Sequence, residues 1–307
     1  MDDGRIIFYP TRRLPAAIGR GAFRIERRDV KIGPVGATCL ALLSAVVVMS
    51  FAGNGQSSTV FVCRMGSDVL FASNEDGAAD VALAWTVPPT GGWHGGLFLG
   101  FSDSYAQGGV NDVGLCFGTT SVPTPPTTGQ TGALPTSHPY DFCQAALLEC
   151  ASVDELEPWL YTHILARIDG TQFLFSDATG ATLVVGVDPM GGVFIDRKYT
   201  PFRVITNYSI LAPWLGGYPC WRFQRATTDL QAIASGAVAH SLGSVVDILQ
   251  AVDSPNGPSE FAYSNVFDPV NGLVYLYSWH DFDRPAVMNV RDVTATAWSS
   301  TIPALFP

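Results

Sequence analysis

Charge is what this sequence has least of: charged residues make up 14% of the 307, against 47% hydrophobic. That balance excludes a disordered chain and describes a globular one with a large core. Positive charge is scarcer still beyond the start. Residues 1–31 hold eight Lys/Arg and four Asp/Glu and so carry +4, which leaves −14 for the rest of a chain of net charge −10. An acidic body argues against nucleic acid and an anionic membrane surface as partners. The cysteines, Cys39 apart, are Cys63, Cys116, Cys143, Cys150 and Cys220. They are odd in number and lack Cys-x-x-Cys spacing, so they read as buried thiols, with no zinc or redox motif. The histidines at 94, 138, 163, 240 and 280 have no ligand spacing, so no metal and no cofactor is expected. No Gly-x-Ser-x-Gly elbow supports a Ser–His–Asp hydrolase. The glycine-rich run Gly108–Gly118 lacks the Gly-Lys-Ser/Thr of a phosphate loop. No repeat of 20–50 residues is visible.

What is present begins with a leader. A basic flank over 1–31, an uncharged apolar run over 32–51 and the small residues Ala52–Ser57 form the pattern of a secretory signal. Cleavage before Ser58 gives a secreted or periplasmic protein. The alternative is an uncleaved membrane anchor, since 32–51 is just long enough to span a bilayer. The domain division is therefore 1–57, leader with signal or anchor, and 58–307, a single folded domain.

From Ser58 the pattern is of hairpins. Val60, Val62 and Val69-Leu70-Phe71 flank a turn at Gly66-Ser67-Asp68. Strand composition returns over 81–87, 97–101, 173–187 and 202–208, and in a last hairpin over 262–280, while Gly108–Gly118 reads as a glycine-rich turn leading into a strand. Helices are expected at 140–150, from a capping box at Ser152 and Glu155 towards His163, from Pro219 through Ile233, and at 242–252. The Thr/Pro/Gly-rich segment 119–139 reads as a surface loop. Strands first, helices in the middle and strands again describe an α+β fold with antiparallel sheets.

A small hydroxyl residue at a newly freed N-terminus has its own base. An α-amine has a pKa of roughly 7.7–8.0, suited to taking the proton of a neighbouring nucleophile. The second strand of the opening hairpin brings Asp76 back towards that amine, where a carboxylate can orient the ammonium form.

Ser58-Thr59-Val60-Phe61, Ala72-Ser73-Asn74-Glu75-Asp76, Gly108-Gly109-Val110-Asn111-Asp112, Thr206-Asn207 and Arg222-Phe223-Gln224-Arg225 together resemble the choloylglycine hydrolase and penicillin V acylase group. These are linear-amide C–N hydrolases of the N-terminal-nucleophile class. The family begins its mature chain with Cys-Thr-x-Phe and closes the second strand with Gly-x-Asn-x-Asp. This chain has Ser58 in place of the nucleophilic Cys, and Ser73 where the bile-salt and penicillin V branches carry Arg. The resemblance, over about residues 58–290, implies a four-layer αββα sandwich. It implies that Ser58 is the nucleophile and Asp76 the residue that orients its amine. It implies Asn207 and Asn111 as oxyanion donors and Arg222 as an electrostatic partner. The implied activity is hydrolysis of a small-molecule linear amide through an acyl-enzyme. A catalytically silent binding protein of the same fold is the alternative, and Cys63 as nucleophile is a third, weaker reading. A membrane partner is expected only if 32–51 is uncleaved, and self-association into a homo-oligomer stays open.

Overall fold

The computed structural model describes residues 58–76, 81–103, 105–253, 261–279 and 281–306. The side chains of Asp76 and Phe261 lie outside the description, as do the leader 1–57 with its signal or anchor reading, and His280. In chain order the strands begin β1 (Thr59–Met65), β2 (Asp68–Asp76), β3 (Ala82–Val87), β4 (Gly96–Phe101), β5 (Ala106–Asn111) and β6 (Cys116–Ser121). Two helices follow, α1 (Phe142–Glu149) and α2 (Val153–Thr162), then β7 (Thr171–Ser176), β8 (Thr182–Val187), β9 (Val193–Lys198) and β10 (Phe202–Thr206). The chain closes with α3 (Trp221–Ala234), α4 (Leu242–Ala251), β11 (Phe261–Asp268), β12 (Leu273–Ser278), β13 (Ala286–Asn289), α5 (Val290–Val293) and β14 (Ser299–Thr301).

The strands form two sheets with every pairing antiparallel. One has six strands in the order β10-β1-β2-β11-β12-β13, the other eight in the order β14-β3-β4-β5-β6-β7-β8-β9. Three apolar cores separate four layers. Phe98, Phe117, Phe173 and Phe175 of the eight-stranded sheet pack against Phe142, Leu147 and Leu156 of α1 and α2. Val60, Phe71 and Phe267 of the six-stranded sheet face Leu97, Val110, Cys116 and Leu174 of the other. Phe61, Leu70 and Val266 on the opposite face of the six-stranded sheet pack against Ala226, Leu230, Val245 and Leu249 of α3 and α4. The architecture is the expected αββα sandwich.

Local chemistry accounts for the elements that carry the site. Gly66 sits at φ +62°, a left-handed turn position that lets β1 reverse tightly into β2. Asp141 caps α1 by accepting from the N–H groups of Cys143 and Gln144. Ser152 caps α2 by accepting from Glu155 N–H, while Glu155 Oε2 accepts from Ala151 N–H at 2.8 Å, one residue before the position a reciprocal box uses. Four strands are absent from the sequence reading: β9, β13 and β14 at sheet edges, and β5 inside the eight-stranded sheet, where Gly108-Gly109 read as a turn. Edge strands are short or charged, here with Asp196-Arg197-Lys198 ending β9, so they lack the apolar pattern that betrays a central strand.

Side chains alternate across a strand, and the cores show which way. Val60 and Phe71 point between the sheets, whereas Phe61, Leu70 and Ala72 point to the helices. The register pairs Val60 with Ser73, Ser73 with Asn265 and Glu75 with Tyr263. Ser73, Glu75, Tyr263 and Asn265 therefore share the face between the sheets, and Thr59, Asn74 and Ser264 share the helix face.

Candidate active site

Ser58 lies at the mouth of β1, only 7% exposed. Its Oγ donates to Glu75 Oε2 across 3.5 Å. On its backbone side, Arg222 Nη1 donates to the Ser58 carbonyl at 2.9 Å and reaches Thr59 Oγ1 at 3.4 Å. The other arm of the same guanidinium, Nη2, donates to Asn207 Oδ1 at 2.9 Å. Asn207 Nδ2 donates in turn to the carbonyl of Ser121, the last residue of β6, at 3.1 Å. One planar fork thus joins the start of β1 to the corner after β10, and that corner is tied to the opposite sheet. Lys, a single point charge, has no second arm for such a bridge.

Each of these side chains is where it is for a local reason. Arg222 is the second residue of α3, and helix side chains tilt towards the N-terminus, so its head reaches the end of β1. It is 7% exposed, a buried cation held by oxygen acceptors. Asn207 follows β10, where Tyr208 N–H bonds to the Thr206 carbonyl at 2.8 Å and turns the chain out of the sheet. Gly217 closes over that corner: a Cβ there would lie 2.2 Å from the Asn207 carbonyl oxygen, at φ +78°. Only glycine combines that backbone with that approach.

The floor beside Ser58 is polar and buried. Ser73 Oγ donates to Asn265 Oδ1 at 2.7 Å on the face between the sheets, and on the helix face Ser264 Oγ donates to Asn74 Oδ1 at 2.7 Å. Asn74 Nδ2 donates to the Leu249 carbonyl of α4 at 3.0 Å and locks β2 to the helix layer. The phenol of Tyr263 is held far above its ordinary range by burial first, and then by the charges of Glu75 and Asp103.

The expected site residues divide. Ser58, Asn207 and Arg222 form one connected group. Asp76 ends β2, with its backbone in register with Phe261, but its side chain lies outside the described residues. Asn111 requires a correction. It was expected as an oxyanion donor, yet both its N–H donors are spent, on the carbonyls of Leu147 and Cys150 at 2.9 Å each. Its Oδ1 accepts from the N–H groups of Leu115 and Val113 at 2.8 and 3.3 Å. Asn111 clamps the end of α1 to the β5–β6 turn and has no donor left for a substrate. Cys63 is fully buried, and burial pushes its thiol up to about 12, which makes it a packing residue and no nucleophile. Glu75 and Ser121 were missed. Glu75 occupies the unspecified place in Gly-x-Asn-x-Asp. Strand alternation from Phe71 and Ser73 would have put it on the same face as Ser58.

No protein-family model matches the chain, and no curated protein matches it. Solved structures do. Penicillin V acylase from Agrobacterium tumefaciens superposes with a TM-score of 0.56 at 20% identity, over 75% of this chain and 84% of that one. A variant of conjugated bile acid hydrolase from Clostridium perfringens gives 0.62 at 14% identity, over 80% and 96%. A second variant of that hydrolase gives 0.61 at 14% identity, over 79% and 96%. The chain has the fold of these two hydrolases. Ser58 stands immediately before β1 and is touched by Glu75 of β2 on one side and Arg222 of α3 on the other. At this place the sandwich brings together a hydroxyl, a carboxylate, a guanidinium and a carboxamide from four separate segments.

Proposed function

We propose that this protein is an exported amidase that cleaves a linear, non-peptide C–N bond through an acyl-enzyme on Ser58. The supporting observation is the arginine bridge. The Arg222 guanidinium holds the Ser58 carbonyl with one arm and the Asn207 amide with the other, 2.9 Å each. It fixes the residue that attacks and the residue that meets the developing charge. Removal of residues 1–57 frees the Ser58 amine, which exchanges protons with the hydroxyl beside it. Asn207 keeps one N–H beyond its bond to Ser121, and that donor stabilises the oxyanion. Losing such a donor costs on the order of 10²–10³ in rate. Asp76 orients the amine, as the resemblance implies. Ser73, bonded to Asn265, leaves no arginine where the bile-salt and penicillin V branches have one. The substrate is therefore an amide that does not depend on that cation.

The alternative reading, a silent binding protein, rests on Ser58 standing where the family has Cys. One experiment separates the two. The protein is recovered from the medium of an expressing culture, and its intact mass and N-terminal sequence are determined. It is then assayed on a panel of N-acyl p-nitroanilides beside Ser58→Ala. A chain beginning at Ser58 that releases nitroaniline, with Ser58→Ala inactive, supports the amidase. A chain that begins elsewhere, or one that binds anilides without turnover, overturns it.

A further inference from the structure

Ser58 raises a difficulty that a cysteine would not. A thiol has a pKa of about 8.5 and is a few per cent ionised at neutral pH, whereas a serine hydroxyl has to lose its proton during attack. The Ser58 amine, with a pKa of roughly 7.7–8.0, is mostly ammonium at pH 7 and then has no lone pair to offer. A second proton acceptor at the hydroxyl would remove the difficulty, and one is present. Glu75 Oε2 is the acceptor of the Ser58 hydroxyl, at 3.5 Å. Glu75 is 2% exposed, within a nine-residue strand whose neighbours on both sides are hydrogen-bonded. The carboxylate therefore cannot swing away to solvent.

We infer that Glu75 is a catalytic residue, the general base that takes the Ser58 hydroxyl proton. This rests on the acyl-enzyme reading above and assigns its proton. As the Oγ–C bond forms, the proton passes from Oγ to Glu75 Oε2. As the C–N bond breaks, the leaving nitrogen takes a proton from the Ser58 ammonium, and the proton on Glu75 then passes to the amine. Water deacylates the ester by the same route in reverse. Of the titratable groups around this carboxylate, Tyr263 faces it from β11 and Asp103 approaches Tyr263 from the β4–β5 turn. Arg222 of α3 lies against the Ser58 carbonyl.

A fluorophosphonate tests the base step alone. Oγ attacks phosphorus and fluoride departs without needing a proton, so the rate reports attack by the deprotonated hydroxyl and not protonation of a leaving group. The exported protein, its N-terminus verified, is labelled with a fluorophosphonate over pH 5.5–9, and the adduct on Ser58 is followed by intact mass. Glu75→Gln is expected to label on the order of 10²–10⁴-fold more slowly than the parent, and Glu75→Asp to recover part of the rate. An amine acting alone loses about tenfold per unit below its pKa, and the parent is expected to depart from that profile. That profile needs no variant, so it decides the matter even if Glu75→Gln does not fold. A parent that labels but loses tenfold per unit below pH 7.7, or a Glu75→Gln that labels as fast as the parent, overturns the base assignment and leaves the amidase standing. A parent with a free Ser58 that does not label at all overturns both.

Discussion

Asn111 concentrates four hydrogen bonds on one buried amide, two given to the end of α1 and two taken from the β5–β6 turn. Replacing it with alanine strands the Leu147 and Cys150 carbonyls away from water. Each unsatisfied buried group costs about 1–3 kcal/mol. Asn111→Ala is accordingly expected to lose at least ~2 kcal/mol of stability by urea denaturation while the fluorophosphonate reaction at Ser58 continues in the folded fraction. A stable variant that has lost the reaction would return Asn111 to the catalytic group. At this scale, residue type was legible and partnership was not. The run Gly-Gly-Val-Asn-Asp marks a specialised asparagine, but whether its amide points at a substrate or at a helix end depends on α1, some 36 residues further on. Arg222, expected as an electrostatic partner, has its guanidinium against the Ser58 carbonyl. A helix that starts at Trp221 can send its second side chain only towards its own N-terminus, where β1 begins.

At the level of elements, the two sheets meet in tight contact where β6 crosses β1. A Cβ on Gly118 would stand 2.8 Å from Val60 Cγ1 and 3.2 Å from its Cγ2. Val60 is β-branched and fully buried, so it has no rotamer to retreat into. Gly118→Ala is expected to cost about 1–3 kcal/mol from overpacking. Because Val60 is two residues from Ser58, it should also slow labelling at Ser58. A melting temperature equal to the parent's would show that the sheets can part without cost. Most central strands were readable because both their faces are buried, so their apolar runs are continuous; β5, with Gly108 and Gly109 in its middle, read as a turn. The edge strands β9, β13 and β14 were not, since an edge is recognised by its neighbour more than by its own composition.

For the molecule as a whole, the buried thiols make stability depend on alkaline pH. Burial raises Cys63 and Cys150 to about 12. Cys116 and Cys143, also raised first by burial, are further assisted by Asp177 and Asp141 respectively. In the unfolded chain these thiols ionise near 8.5. A raised folded-state pKa means the contribution is complete below about pH 8.5 and is lost as pH climbs towards 12. The expected slope is on the order of 1 kcal/mol per thiol per pH unit. Urea midpoints at pH 8 and pH 10 measure it, and the native protein should resist iodoacetamide at pH 8. A midpoint independent of pH would mean the thiols titrate alike in both states.

By itself the sequence determined what can be read from neighbours along the chain. This includes the acidic, core-rich body, the hairpins with their glycine turns, the capped helices, and the short motifs that resemble a family of hydrolases. Those are properties of local conformation and of apolar patterning, and they need only a few residues each. Only the tertiary structure decided which polar groups meet. Ser58, Glu75, Asn207 and Arg222 belong to segments up to 164 residues apart. Their contacts depend on sheet register and on where α3 lands. A shift of one residue in β2 would turn Glu75 to the helices and Asn74 to the serine, because side chains alternate across a strand. The burial of both hairpin strands between two layers, up to the exposed turn, holds that register, and no stretch of the chain taken alone contains it.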